Sequence, residues 1–439
     1  MMIGDGVTVT SVVYNMDVDM WLSLPPDLLL EIFRRLEATA VVHCAAACKP
    51  WRRAIIGNAV CLRPRHDGFV PSLLLGFLYS NLEGKVRLRP LESLLAVQPF
   101  VAAAADDDDS TRCCDGEAAS FCVPLAAAAA GGGGVDLDVY NQVLSSRDGL
   151  LLLGGNAADD LCLWNTMPGG GCTFLPAAAF EDCRYLLVTP YDLPTSDADD
   201  ATATRIVAVE HGGRINTVFS RSLTYQLFSG AGEWGPIERS PEHIFTCTGV
   251  ICRGAVHWLG KFEVQGGARN NCTFAVDVRA GRSRTWMTEL PEKLRYTGTN
   301  LVPKMVLATS RDGHLSVVSF QPPPCHRIIE AWVLAGGERW TLRWTVDIQD
   351  LPGCCPSYWS ASVDSFCPRS GYVMGKMYGR MTVTRVDAGG VMHCVMEKGR
   401  LLIDVDSGTA RVMNMCTKHG ANHPYEMDLS TYISKMKHF

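Results

Sequence analysis

A turn signature recurs along this chain at a fixed internal spacing, and it constrains the fold more than any other feature. Asn165, Gly169 and Phe174 stand four and five residues apart; Asp277, Gly281 and Trp286 repeat that spacing, as do Asp404, Gly408 and Met413. Weaker copies centre on Gly232 and on Gly336-Gly337. Each lies between strand-forming stretches, such as the run from Cys272 to Asp277. A polar residue opens the turn, glycine takes the positive φ, and a large apolar residue is expected to return to the core.

A second kind of turn alternates with the first. It is carried by Arg147-Asp148-Gly149, Gly212-Gly213, Arg253-Gly254 and Arg311-Asp312-Gly313, with a poorer copy at Gly379. The segments after these turns are more apolar, as in Leu150–Leu153 and Ala255–Leu259. Strands buried on both faces read that way, whereas outer strands alternate. Two hairpins per unit make four strands per unit, which is the construction of a propeller blade. Five units fit between about 140 and 413, and residues 66–139 add another that shares strands with the C-terminus to close the ring. The expectation is an all-β propeller of six or seven four-stranded blades over residues 66–439.

Composition supports a folded chain. Of 439 residues, 47% are apolar and 20% charged, which excludes a mainly disordered protein. With 40 basic against 46 acidic residues, the net charge of −6 gives no general attraction to nucleic acid. The apolar run Leu73–Tyr79 is too short to span a bilayer, so no membrane partner is expected. Residues 1–20 lack the basic and apolar blocks of a targeting segment and read as a flexible tail. The 18 cysteines are scattered without paired C-x-x-C spacing. They read as reduced, buried thiols of a cytoplasmic or nuclear protein. Ala102–Ala105 leading into Asp106–Asp109, and Ala126–Ala130 leading into Gly131–Gly134, are low-complexity insertions. Segments 102–118 and 126–134 are therefore expected as loops, the aspartates as a solvated run rather than a metal site.

Residues 21–62 have a different character. Pro25 and Pro26 suit the first turn of a helix, Asp27 its start, and Arg34 and Arg35 its end. Leu29, Ile32, Phe33 and Leu36 form one apolar stripe. Thr39 can cap a second helix over Ala40–Ala47, and Pro50 opens a third, Trp51–Ile56. Forty residues bury little core alone, so this many large apolar groups imply a covering partner.

These residues carry a resemblance. Leu24-Pro25-x-Asp27-Leu28-x-x-x-Ile32-Phe33-x-x-Leu36, followed by Cys48-Lys49-x-Trp51-Arg52, is similar to the F-box family. The chain departs from it at Glu37, where the family often has proline, and in the small Ala45, Ala46 and Ala47 of the middle helix. The resemblance implies three helices that bind a Skp-type linker, and through it a cullin. On matching positions, linker contacts fall to Leu24, Pro25, Leu28, Ile32, Phe33, Leu36, Cys48 and Trp51, with Leu28, Ile32, Phe33 and Trp51 exposed on a convex knob. The later region resembles the propeller that follows the F-box in many plant F-box proteins, through the run from Arg147 to Leu153 and the closing Pro424-Tyr425-Glu426-x-Asp428. It implies a substrate-receptor subunit of an SCF-type cullin–RING ubiquitin ligase, whose propeller recruits an unspecified protein substrate and which catalyses nothing itself.

Competing chemistry is thin. Gly230, Gly232 and Gly235 spell G-x-G-x-x-G, but Trp234 and Pro236 stand where a helix would begin, so a hairpin turn is expected. There is no Walker lysine motif, H-E-x-x-H or G-x-S-x-G. His43, Cys44 and Cys48 lie within the helical block and read as packing. Cys325-His326 and His393-Cys394 are adjacent pairs that point to opposite faces of a strand. His419 and His423 near Cys416 make a weak metal candidate. No metal and no cofactor are expected. Trp258, Trp286, Trp332, Trp340 and Trp344 read as inter-blade core, and Arg253 and Arg311 as turn residues at the propeller rim or channel. Two alternatives remain: an enzyme built on the propeller with a helical appendage, and an F-box protein acting outside the ligase.

Overall fold

A computed structural model describes residues 24–36, 38–58, 69, 73–80, 86–90, 121–122, 139–155, 160–166, 171–180, 183–193, 204–210, 222–229, 232–244, 249–263, 269–278, 284–295, 305–321, 327–336, 339–351, 360–386, 392–413 and 423–427. The proposed tail 1–20 and loops 102–118 and 126–134 lie outside these, with the short strand at 121–122 between the two loops. The chain divides into a helical unit ahead of residue 66 and a strand unit over 66–428.

The helical unit has three helices: α1 (Pro26–Arg35), α2 (Ala38–Ala47) and α3 (Lys49–Gly57). Both α1 and α3 begin with proline in the first turn, where its missing N–H is harmless. Thr39 lies inside α2 rather than capping it, and α3 starts at Lys49 with Cys48 extended at its cap. Glu31 pairs with Arg35 at 2.9 Å along α1. The core is Leu29, Phe33, Val41, Val42, Ala45 and Ile55. Small residues on α2 let it approach its neighbours closely. Only half of the expected α1 stripe is buried: Leu29 and Phe33 face inward, while Ile32 is 38% exposed.

The strand unit contains β1 (Leu74–Ser80), β2 (Val86–Pro90) and β3 (Phe121–Cys122), then β4 (Gln142–Arg147), β5 (Leu150–Gly154), β6 (Asp160–Asn165) and β7 (Cys172–Pro176). There follow β8 (Cys183–Val188), β9 (Arg205–Glu210), β10 (Ser222–Phe228) and β11 (Glu238–Ile244), then β12 (Val250–Cys252), β13 (Ala255–Glu263), β14 (Arg269–Asp277) and β15 (Thr285–Glu289). After the short α4 (Glu292–Arg295) come β16 (Met305–Thr309), β17 (Leu315–Phe320), β18 (Ile328–Ala335) and β19 (Arg339–Asp347). The last are β20 (Ser360–Cys367), β21 (Tyr372–Val386), β22 (Met392–Asp404), β23 (Ala410–Met413) and β24 (His423–Glu426).

Among the described residues these form five antiparallel sheets, not six or seven. Four are four-stranded: β4–β7, β16–β19, β20–β23, and β24-β1-β2-β3. The fifth has eight strands, because β11 pairs with β13 through His243↔Lys261 and Ile244↔Gly260 and fuses β8–β11 with β12–β15. Turn spacing counts strand quartets; whether two quartets share one hydrogen-bond ladder is invisible to it. The propeller therefore has five blades, one of them double.

Closure is the shared-strand kind that the sequence suggests. β24 pairs with β1, with Leu78 opposite His423. Apolar clusters fill the spaces between blades. Phe77 packs with Met374 and Leu402, Leu78 and Tyr425 with Leu151 and Leu153, and Leu152 with Leu187 and Ile206. Leu151, Leu152 and Leu153 are fully buried, as a second strand covered on both faces should be.

The turns show where glycine is required. Asp148 and Gly149, like Arg253 and Gly254, all have positive φ, the geometry of tight two-residue hairpins. Gly408, at φ +71°, also lies under the Trp344 ring, where a Cβ would come within 2.8 Å of the indole. Gly379 is no turn; it sits within β21 where the register slips between Tyr378 and Met381. The third residue of the turn signature also departs from expectation. Met413 is buried, but Phe174 and Trp286 are 39% and 36% exposed. All three stand on the last strands of their sheets, and Met413 is covered because the cluster of Phe77, Met374 and Leu402 reaches it.

Candidate functional site

On α1, Leu28 and Ile32 lie one turn apart on the same face and are 54% and 38% exposed. Ile56 on α3 is 37% exposed. Pro25 is exposed; Leu24, Leu36, Cys48 and Trp51 are half-buried. Phe33 departs from the expected knob. It is 2% exposed and meets Trp51 edge-on, with ring centroids 5.8 Å apart. It is core because α1 turns the Leu29–Phe33 side, not the Leu28–Ile32 side, toward its neighbours. Trp51 Nε1 is buried with no hydrogen-bond partner among the described residues. Burial, with Cys48 nearby, raises the Cys44 thiol above its ordinary range.

In the propeller, sequence reasoning missed an ionic cluster beneath the turns. Arg369, between β20 and β21, grips both Asp148 oxygens at 2.6 Å and reaches Asp192 at 3.0 Å. Arg147 donates from Nε to Asp192 at 2.7 Å and through Nη2 to its other oxygen. Thr189 Oγ1 donates to Asp148. The fully buried Glu426 of β24 accepts from Ser370 N and Oγ at 2.7 Å and from Arg369 N at 3.1 Å. Burial alone favours neutral Asp192, but the Arg147 and Arg369 charges hold its carboxyl below the usual range. Burial raises Glu426, with the Ser370 bonds opposing. Four chain regions meet here, including the first-read turn and the closing segment. Arg147-Asp148-Gly149 and Tyr425-Glu426 were legible as motifs; their convergence was not. Two guanidinium groups hold Asp148 and Asp192, and Ser370 with the Arg369 main chain holds Glu426, so the cluster reads as a clasp, not a reactive centre.

The other candidates sort simply. Gly232 takes positive φ and Gly235 N donates to Leu227 O at 2.9 Å, so the G-x-G-x-x-G run is a hairpin turn. Trp258 is core, and Trp340 and Trp344 bond neighbouring-blade carbonyls, Glu289 O at 2.7 Å and Val405 O at 2.8 Å. Arg253 donates to Gly313 O of the next inner turn at 3.0 Å. Gly212-Gly213, Cys325-His326, Cys416 and His419 lie outside the described residues. Among the described residues no three His, Cys, Asp or Glu side chains could hold a metal ion, and no helix is long and apolar enough to cross a membrane.

A three-helix module ahead of a propeller is the class that this architecture defines. The helical segment matches the description F-box-like over residues 21–60. Proteins with this module are generally non-catalytic adaptors that bind Skp-type proteins, and the propeller fits protein binding. Residues 138–439 match the family described as Domain of unknown function (DUF7595), and the chain belongs to that family. A comparison with curated proteins gives no match. Among solved structures, a subtype N11 neuraminidase-like protein from a flat-faced bat isolate (H18N11) is 8% identical, with TM-score 0.27 over 57% of this chain and 82% of that one. A mutant of the Synechocystis apocarotenoid oxygenase is 11% identical, with TM-score 0.29 over 65% of this chain and 62% of that one.

Proposed function

We propose that this chain is a substrate-receptor subunit of an SCF-type cullin–RING ubiquitin ligase, of the plant F-box kind. Residues 21–62 bind the Skp-type linker, the linker joins the cullin, and the propeller over 66–439 holds a protein substrate. Catalysis belongs to other subunits. The chain contributes proximity, raising the effective concentration of substrate beside the charged conjugating enzyme. Such work suits a protein of the cytoplasm or nucleus.

The observation that carries this reading is the exposed Leu28–Ile32 pair within the F-box-like segment. Large apolar anchors concentrate the energy of an interface, at about 2–4 kcal/mol each when central. The test is a titration of the full chain with a Skp-type linker. Leu28→Glu with Ile32→Glu is expected to weaken binding by at least roughly a hundredfold, at 1.4 kcal/mol per tenfold. Its propeller melting transition should stay in place. Unchanged affinity would remove the adaptor reading. Binding of linker without recovery of cullin from cells would place the chain outside the ligase.

A further inference from the structure

Two cysteines of the β4–β7 sheet touch each other. Eight cysteines among the described residues are free thiols. Cys252 donates to the Gly313 carbonyl, and Cys367 packs among Phe77, Met374 and Leu402. Cys162, by contrast, donates its S–H to the sulfur of Cys172. Cys162 is fully buried and Cys172 only half-buried.

The strand ladder accounts for the contact. In the β6–β7 register Cys162 stands opposite Phe174 and Trp164 opposite Cys172, so the two cysteines are diagonal neighbours on one face. That face looks into the cluster at the ring closure. Cys162 belongs to this cluster together with Trp164, Leu78 and Tyr425, and Cys172 packs against it. Tyr140 covers the same face: its hydroxyl donates to Asp160 at 2.6 Å, and its ring lies 5.7 Å from that of Phe174. The thiol pair therefore sits where the β4–β7 sheet meets the sheet that closes the propeller.

Their surroundings give the two thiols different roles. Burial, with the Cys172 sulfur beside it, pushes the Cys162 thiol up to about 12, so it keeps its proton. Cys172 opens β7 and is the member that solvent reaches. β7 is the last strand of its sheet, bonded to a neighbour on one side, and Gly171 just before it has open space around it. Diagonal partners lie about 7–8 Å apart at Cα, and a disulfide spans about 4.4–6.8 Å, so bonding draws the start of β7 inward by roughly 1–2 Å. A last strand beside open space can make that move; an inner strand, held on both sides, cannot.

We propose that Cys162 and Cys172 form an oxidant-sensitive dithiol, a modification site that a peroxide converts to a disulfide fastening β7 beside the ring closure. The Cys172 thiolate attacks one peroxide oxygen; the O–O bond breaks, and the departing hydroxide takes up a proton as water. Cys172 is then a sulfenic acid, oxidised by two electrons while the peroxide is reduced. The Cys162 sulfur attacks the Cys172 sulfur; the S–S bond forms, the S–O bond breaks, and the Cys162 proton leaves with the hydroxyl as a second water. An accessible cysteine poised beside a resolving partner is the arrangement of redox-sensing thiols. This site does not depend on the receptor reading.

The test uses the reduced full chain, treated with hydrogen peroxide, alkylated, unfolded and digested without reductant. Chymotrypsin cuts after Trp164, Phe174 and Phe180, which leaves Cys162, Cys172 and Cys183 on separate peptides unless they are bonded. Cys162 and Cys183 stand at almost equal distances along the chain from Cys172, so chain unfolded in urea should join Cys172 to either. The folded chain should join it to Cys162 at least roughly tenfold more than to Cys183, because the fold holds those sulfurs in contact. Dithiothreitol should restore both thiols. Cys162→Ala should leave Cys172 as a sulfenic acid that dimedone traps, whereas Cys172→Ala should leave Cys162 unmodified at the same dose. Both variants are checked for a wild-type melting curve, and the comparison of folded with unfolded wild type needs neither. Amide exchange over Cys172–Pro176 should slow in the bonded chain. Equal pairing with Cys162 and Cys183 in the folded chain, dimedone labelling of wild-type Cys172 without the bond, or no oxidation at either cysteine would overturn the inference. A bond that leaves exchange over β7 unchanged would overturn the fastening.

Discussion

Removing the Arg369 guanidinium should loosen the propeller at its closure. That side chain spans two chain regions, Asp148 in the β4–β5 turn and Asp192 after β8, while its main chain and Ser370 hold Glu426 of the closing strand. The carboxylates are nearly inaccessible: Asp148 is 5% and Asp192 2% exposed at the side chain. Arg369→Met keeps the stem and deletes the charge. Asp192 retains Arg147, but among the described residues Asp148 is left with Thr189 alone. Leaving a buried charge without its partner costs about 3–5 kcal/mol. Unfolding entropy near 2.1 cal/mol/K per residue, over the roughly 360 residues of this unit, converts that cost to a fall in Tm of about 4–7 °C. Differential scanning calorimetry of wild type and variant reads this directly. The cycle with Asp148→Asn sharpens it, because removing both charges should cost less than the two single losses added. A Tm for Arg369→Met within 1 °C of wild type, or strictly additive losses, would refute the clasp.

Acid should act on the same unit through His257. Its folded pKa of about 4 lies below the unfolded value near 6.5, so below 6.5 the unfolded chain binds the extra proton. The stability it contributes is present above about 6.5 and is lost as pH falls toward 4, to the extent of about 3 kcal/mol. Urea titrations at pH 7 and 4.5 should differ more in wild type than in His257→Phe; equal differences would exclude the residue as the source. Phe33→Ala opens a cavity in the helical core, and about 3–5 kcal/mol should be lost there. Helical signal and linker binding should then fall together, whereas Leu28→Glu reduces binding alone; circular dichroism beside the titration separates the two. Deleting residues 102–117 should move the melting point by under a few degrees, since loop length costs only about 0.6 kcal/mol per doubling; a fall above about 8 °C would show that the segment packs.

The sequence by itself determined the local chemistry. Proline marked the starts of α1 and α3, charge placement the two ends of α1, and glycine after a polar opener the hairpins, because backbone sterics and the helix dipole act within a few residues. The apolar run Leu150–Leu153 announced a strand covered on both faces. The tertiary structure alone decided which faces met. Phe33 and Ile32 are neighbours of similar character, yet one is core and the other surface, a choice set by which side of α1 meets α3, where Trp51 packs on Phe33. The blade count turned on two residue pairs between β11 and β13, a ladder no periodicity encodes. Trp258 and Trp286 looked alike in sequence, but one stands on an inner strand and the other on an open edge. The Arg369 clasp joins residues far apart in the chain, and such a meeting is fixed by ring closure rather than by any local pattern. Periodicity reports what each segment prefers to bury; only the assembled sheets determine what is there to bury it.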